Sequence, residues 1–138
     1  RTDMKDRLSS IFECGYCDDE GTLGSIHESY EKYGYLPDTH TAVALRVYED
    51  YVKRTEVKTP AVICATASPY KFPKAVFQAV TGKDAGCDDT KAAEELEKLT
   101  GIPIPEPLKG LSGKEVRFPD VCDISAMEDT VFKMLGIG

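Results

Sequence analysis

"PAVICATASPYKFPKAV", Pro60 to Val76, is the stretch on which the reading of this chain turns. Its first part is apolar and partly β-branched, the composition of a short buried strand with both faces covered. Small polar residues follow, with Thr66 and Ser68, and then Lys71. Pro73 stands where a first helical residue is wanted. Ala75, Val76, Ala79 and Val80 continue at helical spacing, and Gly82 ends the run. The pattern predicts a strand over 61–66 and a helix over 73–81. Small residues at the C-terminal end of a buried strand are where open α/β sheets place ligands. Spacing alone leaves two readings open. One is a ligand site made of the Thr66 and Ser68 hydroxyls, the Lys71 cation and free N–H groups at the helix start. The other is a plain strand–helix connection carrying a surface lysine.

Helical patterns lie on both sides. "DMKDRLSSIFECG" sets Met4, Leu8, Ile11 and Phe12 on one face, with Gly15 as its stop. "TLGSIHESYEKYG" carries Ser25-x-x-Glu28, a capping-box pattern, then Ile26, Tyr30 and Tyr33 on one face, and Gly34. "THTAVALRVYEDYVKR" follows the start signals Pro37-Asp38-Thr39, with Ala44, Val47, Tyr48 and Tyr51 inward. "DDTKAAEELEKLTG" is capped by Asp89 or Thr90 and ended by Gly101. Four prolines in "IPIPEPLKGLSGKEVRFPD" argue against helix there. A last helix opens at Ser125-x-x-Glu128 and sets Met127, Val131, Met134 and Leu135 on one face before Gly136.

Six helices and one strand make an incomplete α/β fold, because a lone strand leaves its own backbone groups unpaired. A second strand is expected near "KEVRFP", or else the sheet lies on another stretch of chain. The sequence also opens Arg1-Thr2-Asp3 with no initiator Met. Together these predict a mainly helical piece of a larger α/β protein, contributing a strand and helices to it. Residues 1–82 then hold the first helices, the 61–66 strand and the 73–81 helix, and 83–138 form a C-terminal extension.

Composition narrows the function classes. The chain has 138 residues, 30% charged and 41% hydrophobic, which suits one modest globular core. No window approaches the roughly 20 apolar residues of a membrane span. A net charge of −7 argues against nucleic acid as a partner. Five cysteines at loose spacing, Cys14, Cys17, Cys64, Cys87 and Cys122, are not a disulfide framework and point to a reducing, cytoplasmic setting. Cys64, inside the apolar run, reads as a buried small hydrophobe. Cys14-x-x-Cys17 has the spacing of a redox dithiol or half a zinc site, with His27 as one further ligand. It follows a helix rather than a strand, its neighbours Asp18, Asp19 and Glu20 are acidic rather than basic, and no second CxxC exists. Ordinary cysteines at a helix end are the expectation, and no metal site is predicted.

"DTHTAV" places Asp38, His40 and Thr41 at a helix N-terminus, a position that favours anions. Simple capping by Asp38 or Thr39 explains the same residues.

"LPDTHTAVAL" followed, one helix later, by "PAVICATASPYKFPKAV" resembles the C-terminal region of the threonine synthase family. The family pattern is D-P-H-T-A-V, then an apolar strand ending T-A-(H/S)-P-x-K-F-P. "GTLGSIHESYEKYGYL" fits the approach to the first motif. The likeness runs from about Ile11 to Val80, and more loosely through the tail. Either motif alone is weak; the two in this order and spacing are specific. The resemblance implies a fold-type-II, pyridoxal-phosphate-dependent lyase that converts O-phospho-L-homoserine and water to L-threonine and phosphate. It implies that Thr66 faces the pyridine nitrogen of the cofactor, where a neutral hydroxyl tunes how strongly the ring withdraws electrons. For His40, Ser68 and Lys71 it implies only a place in the wall of the active site.

Two residues depart from the pattern. Thr39 replaces the usual Pro, and Ser68 stands where His is common, so no role of that His carries over. Nothing here matches the family's Schiff-base lysine or its phosphate-cradling loop, and Lys71 lies in the wrong motif to be that lysine. The chain alone is therefore expected to be inactive. Its missing partner is the N-terminal part of the same enzyme, and exposed apolar surface could drive non-native self-association. The alternatives are another fold-type-II lyase, threonine dehydratase-like or cysteine synthase-like, and a stand-alone acidic interaction domain without enzyme activity.

Overall fold

The computed structural model of the chain describes residues 2–137. Its α-helices are α1 (Thr2–Ser9), α2 (Asp19–Tyr33), α3 (Thr39–Thr55), α4 (Pro73–Thr81), α5 (Asp89–Thr100), α6 (Glu106–Lys109) and α7 (Met127–Leu135). Short 3₁₀ turns cover Pro69–Lys71, Leu111–Gly113 and Ile124–Ala126. Each of the six predicted helices is present, but several begin elsewhere than the patterns suggested. Asp18 caps α2 by accepting from the Gly21 amide, so Ser25 falls inside the helix and its capping-box reading fails. Asp88, one residue earlier than expected, caps α5. α1 ends at Ser9, well short of Gly15. Gly15 serves close approach instead: a Cβ there would stand 2.7 Å from the Val47 side chain on α3. The proline-rich tail does hold one helical turn, α6, because Pro107 occupies its first turn, where a missing N–H does no harm.

The core lies among α2, α3, α4 and α5. α2 packs on both α3 and α4, and α4 packs on α5. Ile26, Leu36, Ala42, Tyr70, Val76, Ala79 and Leu96 form one buried cluster. Small residues at helix crossings, Ala42 and Ala79, let the axes approach. Ile102, Ile104 and Leu108 cover the cluster from the tail. On α3 the buried positions are Thr41 and Ala42, while Ala44, Val47, Tyr48 and Tyr51, expected inward, are half-buried.

The α/β expectation is overturned. Among the described residues there is no strand and no sheet. Residues 61–66 run without regular structure, Val62 is 90% exposed, and Cys64 is exposed rather than buried. The composition of a buried strand was present, but a strand exists only when a neighbour supplies ladder hydrogen bonds. "KEVRFP" does not supply them. It too is irregular, with Val116 and Phe118 exposed. The observed fold is a helical cluster with long irregular connections. α1 and α7 carry their apolar residues outward, including Met4, Leu8, Val131 and Leu135. No described helix is long and apolar enough to cross a membrane.

Candidate functional site

Two loops position the predicted residues, and each is fixed by a side-chain cap. At the start of α3, the buried Asp38 carboxylate accepts from the His40 amide (2.9 Å), the Thr41 amide (3.3 Å) and the Thr41 hydroxyl. Burial pushes the Asp38 carboxyl up. The hydrogen bonds from Thr41 and His40 outweigh it and hold the group below its ordinary value. The capping reading of "DTHTAV" is thus correct, and the carboxylate consumes the amides that an anion would otherwise use. His40 stays exposed on the first turn, its Nδ1 3.4 Å from Asp38 Oδ1 and 3.4 Å from Thr39 Oγ1.

Before α4, the Ser68 hydroxyl accepts from the Tyr70 amide at 3.2 Å and caps the Pro69–Lys71 turn. The Lys71 amide closes that turn onto the Ser68 carbonyl at 3.0 Å. Tyr70 is buried, and its hydroxyl donates to the Ile102 carbonyl, pinning the turn to the tail. Burial pushes the Tyr70 phenol up.

The loops meet at Phe72. The His40 ring lies 5.6 Å from the Phe72 ring, tilted by 33°. The Lys71 ammonium lies 5.4 Å from the same ring. His40 and Lys71, 31 positions apart in the chain, thus share one aromatic neighbour, and Ser68 fixes the turn that delivers Lys71. Thr66 is exposed at the end of the 61–66 segment. Sequence reasoning missed Phe72 and Tyr70 as organising residues. The only available signal was their place inside the motif.

Lys71 also lines a cleft of about 560 Å³ between the Pro69–Lys71 turn, α5 and the tail. Its apolar walls include Tyr70, Pro73, Ala93, Ile104 and Leu108, with Asp89, Glu94, Glu97 and Lys109 among the charged residues. The cysteine motif lies elsewhere. Cys14 is exposed, and Cys17 is half-buried with its thiol 3.6 Å from the Thr22 hydroxyl. Both are free thiols, and no group of three or more metal-ligating side chains is assembled among the described residues.

Comparison with known proteins agrees with the motifs. Residues 41–131 match the family described as "Threonine synthase, C-terminal". The match reaches Val131 and so includes most of the tail after Gly82. The mouse protein "Threonine synthase-like 1" is 28% identical over 136 residues, 96% of this chain and 18% of its own length. "Threonine synthase" of Pseudomonas aeruginosa is 37% identical over 73 residues, 53% of this chain and 15% of its own length. "Threonine synthase" of Methylobacillus glycogenes is 33% identical over 92 residues, 67% of this chain and 18% of its own length. The chain therefore spans less than a fifth of each of these relatives. The family match begins at Thr41 and takes in most of α3, the Thr66–Pro73 motif and α4, and the chain belongs to the threonine synthase family, in its C-terminal region.

Proposed function

We propose that this chain is the C-terminal part of a threonine synthase, a lyase that converts O-phospho-L-homoserine and water to L-threonine and phosphate with pyridoxal phosphate. The observation that carries the proposal is the family match across the Thr66–Pro73 motif and the tail. Bound pyridoxal phosphate supplies the electron withdrawal that the reaction needs, and its ring nitrogen is where a protein tunes that withdrawal. Thr66 is the residue proposed to face that nitrogen. Its hydroxyl is neutral and its position exposed, so it can donate or accept without fixing a charge. His40, Ser68 and Lys71 form the neighbouring wall. The residues present fit one side of the cofactor only. Lys71, the one lysine of the motif, is turned onto Phe72 and sits on a capped turn that sets its position. Turnover therefore requires the rest of the enzyme, and the chain alone is inactive. Five free cysteines agree with a reducing, cytoplasmic setting.

The test is made on a complete threonine synthase carrying this sequence. It releases phosphate from O-phospho-L-homoserine. Thr66→Val shifts the absorption of the bound cofactor and lowers turnover, while Thr66→Ser preserves both. A cofactor spectrum indifferent to Thr66→Val removes Thr66 from the site, and phosphate release by the 138-residue chain alone overturns its proposed inactivity.

A further inference from the structure

Cys14-x-x-Cys17 lies before the residues that match the family, 41–131, and the proposed reaction does not use it. Its setting differs from the one its spacing suggested. α1 ends at Ser9, so the motif is not a helix end. It sits in an irregular segment that leads into the Asp18 cap of α2. No hydrogen-bonded turn spans it. Contacts with α3 hold the segment instead. Glu13 pairs with Arg54. Gly15, between the two cysteines, lies so near Val47 that a Cβ there would stand 2.7 Å from its side chain. The two thiols are unequal. Cys14 is exposed. Cys17 is half-buried, and its thiol donates to the Asp18 carbonyl at 3.4 Å and accepts from the Thr22 hydroxyl at 3.6 Å. A hollow of about 340 Å³ opens beside Cys17, with Tyr16, Gly21 and Arg46 in its walls.

We infer that Cys14 and Cys17 form a reversible dithiol–disulfide pair, closed by a low-molecular-weight disulfide, and that closing it releases the segment from α3. The inference is independent of the threonine synthase reading. Exposure sets the order of the steps. The Cys14 thiolate attacks one sulfur of the small disulfide; a mixed disulfide forms, the small S–S bond breaks and one small thiolate leaves. The Cys17 thiolate then attacks the Cys14 sulfur; the Cys14–Cys17 bond forms and the second small thiolate leaves. Two protein thiols are oxidised and one small disulfide is reduced. The two protons from the cysteines end on the two small thiols. A disulfide needs its Cα atoms within about 7 Å, which draws residues 14–17 into a tight turn centred on Gly15 and Tyr16. That turn takes Gly15 off Val47, and Cys17 gives up the proton that it donates to Asp18.

The test uses the folded 138-residue chain in mixtures of reduced and oxidised glutathione, with free thiols trapped by alkylation and located by peptide mass mapping. Two of the five thiols are expected to disappear together and to link Cys14 to Cys17, with Cys64, Cys87 and Cys122 outside the bond. Dithiothreitol restores all five. Cys17→Ser stops at a glutathione adduct on Cys14. The Val47 methyl resonances move on closure and return on reduction. Arg54→Gln, at an exposed ion pair, frees the segment and raises the equilibrium constant for closure about 1.4- to 5-fold, the range of a surface pair, with the circular dichroism unchanged. A Cys14 adduct without a Cys14–Cys17 bond overturns the pair, as does pairing of either residue with Cys64, Cys87 or Cys122. A bond that forms while the Val47 resonances stay in place, or with the same constant in Arg54→Gln, overturns the release from α3.

Discussion

The Ser25 hydroxyl donates a 3.0 Å hydrogen bond to the Ala42 carbonyl across the α2–α3 contact, and both residues are buried. Seventeen positions separate them, yet this bond sets how α3 lies on α2. Ser25→Ala is expected to lower stability by about 1 kcal/mol, the net worth of a neutral hydrogen bond whose acceptor is already within a helix. Ser25→Val loses the bond and adds volume at a tight crossing, so it lowers stability further. Urea unfolding of the two variants checks the order.

Asp38 is the buried cap of the helix that carries His40. Asp38→Ala is expected to cost about 1–2 kcal/mol. Its carboxyl titrates below the ordinary value when folded, so its contribution is complete above the ordinary carboxylate range. That contribution fades as pH falls through the lowered native value. Acid unfolding of Asp38→Asn should therefore show a shallower loss of stability at the acid end than the parent chain. An identical acid limb would remove Asp38 from the list of acid-sensitive groups.

Glu56 is the one non-glycine residue at positive φ (55°) among the described residues, closing α3 where other helices use glycine. A side chain in this left-handed region costs about 1 kcal/mol. Glu56→Gly is expected to be neutral to stabilising by up to about 1 kcal/mol, which thermal unfolding would register as an unchanged or raised midpoint.

Leu96 and Leu99 lie on the same helix with opposite fates, 0% and 50% exposed. Leu96→Ala is expected to cost about 2–5 kcal/mol through lost burial and a cavity in the buried cluster that it shares with Ile26 and Val76. Leu99→Ala should stay within about 0.5 kcal/mol. Denaturant midpoints of the pair test whether α5 is seated as described.

α7 presents Val131, Met134 and Leu135 to solvent, and its described contacts are with the adjoining turn. In the chain alone this apolar ridge is expected to drive self-association. Val131→Glu with Met134→Glu should lower the sedimentation-average mass at high concentration without moving the unfolding midpoint. A monomeric parent chain would dismiss the ridge as an adhesive surface.

Local chemistry accounts for what was legible in the sequence. Helices α2 to α5 and α7 follow from apolar spacing, with acidic caps at α2, α3 and α5 and glycine stops at all but α3. Gly34, Gly82, Gly101 and Gly136 all close helices in left-handed geometry, because only a residue without Cβ takes that turn freely. The family likeness was equally local, since it rests on side chains in a fixed order. Three things were decided only in space. Ser25 looked like a cap and became a cross-helix bond, because capping depends on where a helix starts and not on the motif. Residues 61–66 had the composition of a buried strand, but burial and pairing are properties of neighbours, and among the described residues none is in place. His40 and Lys71 belong to separate motifs, and only the fold brings His40 beside Phe72, the chain neighbour of Lys71. Short-range pattern encodes an element; the partner of each element is encoded by surfaces that meet only when the chain has folded.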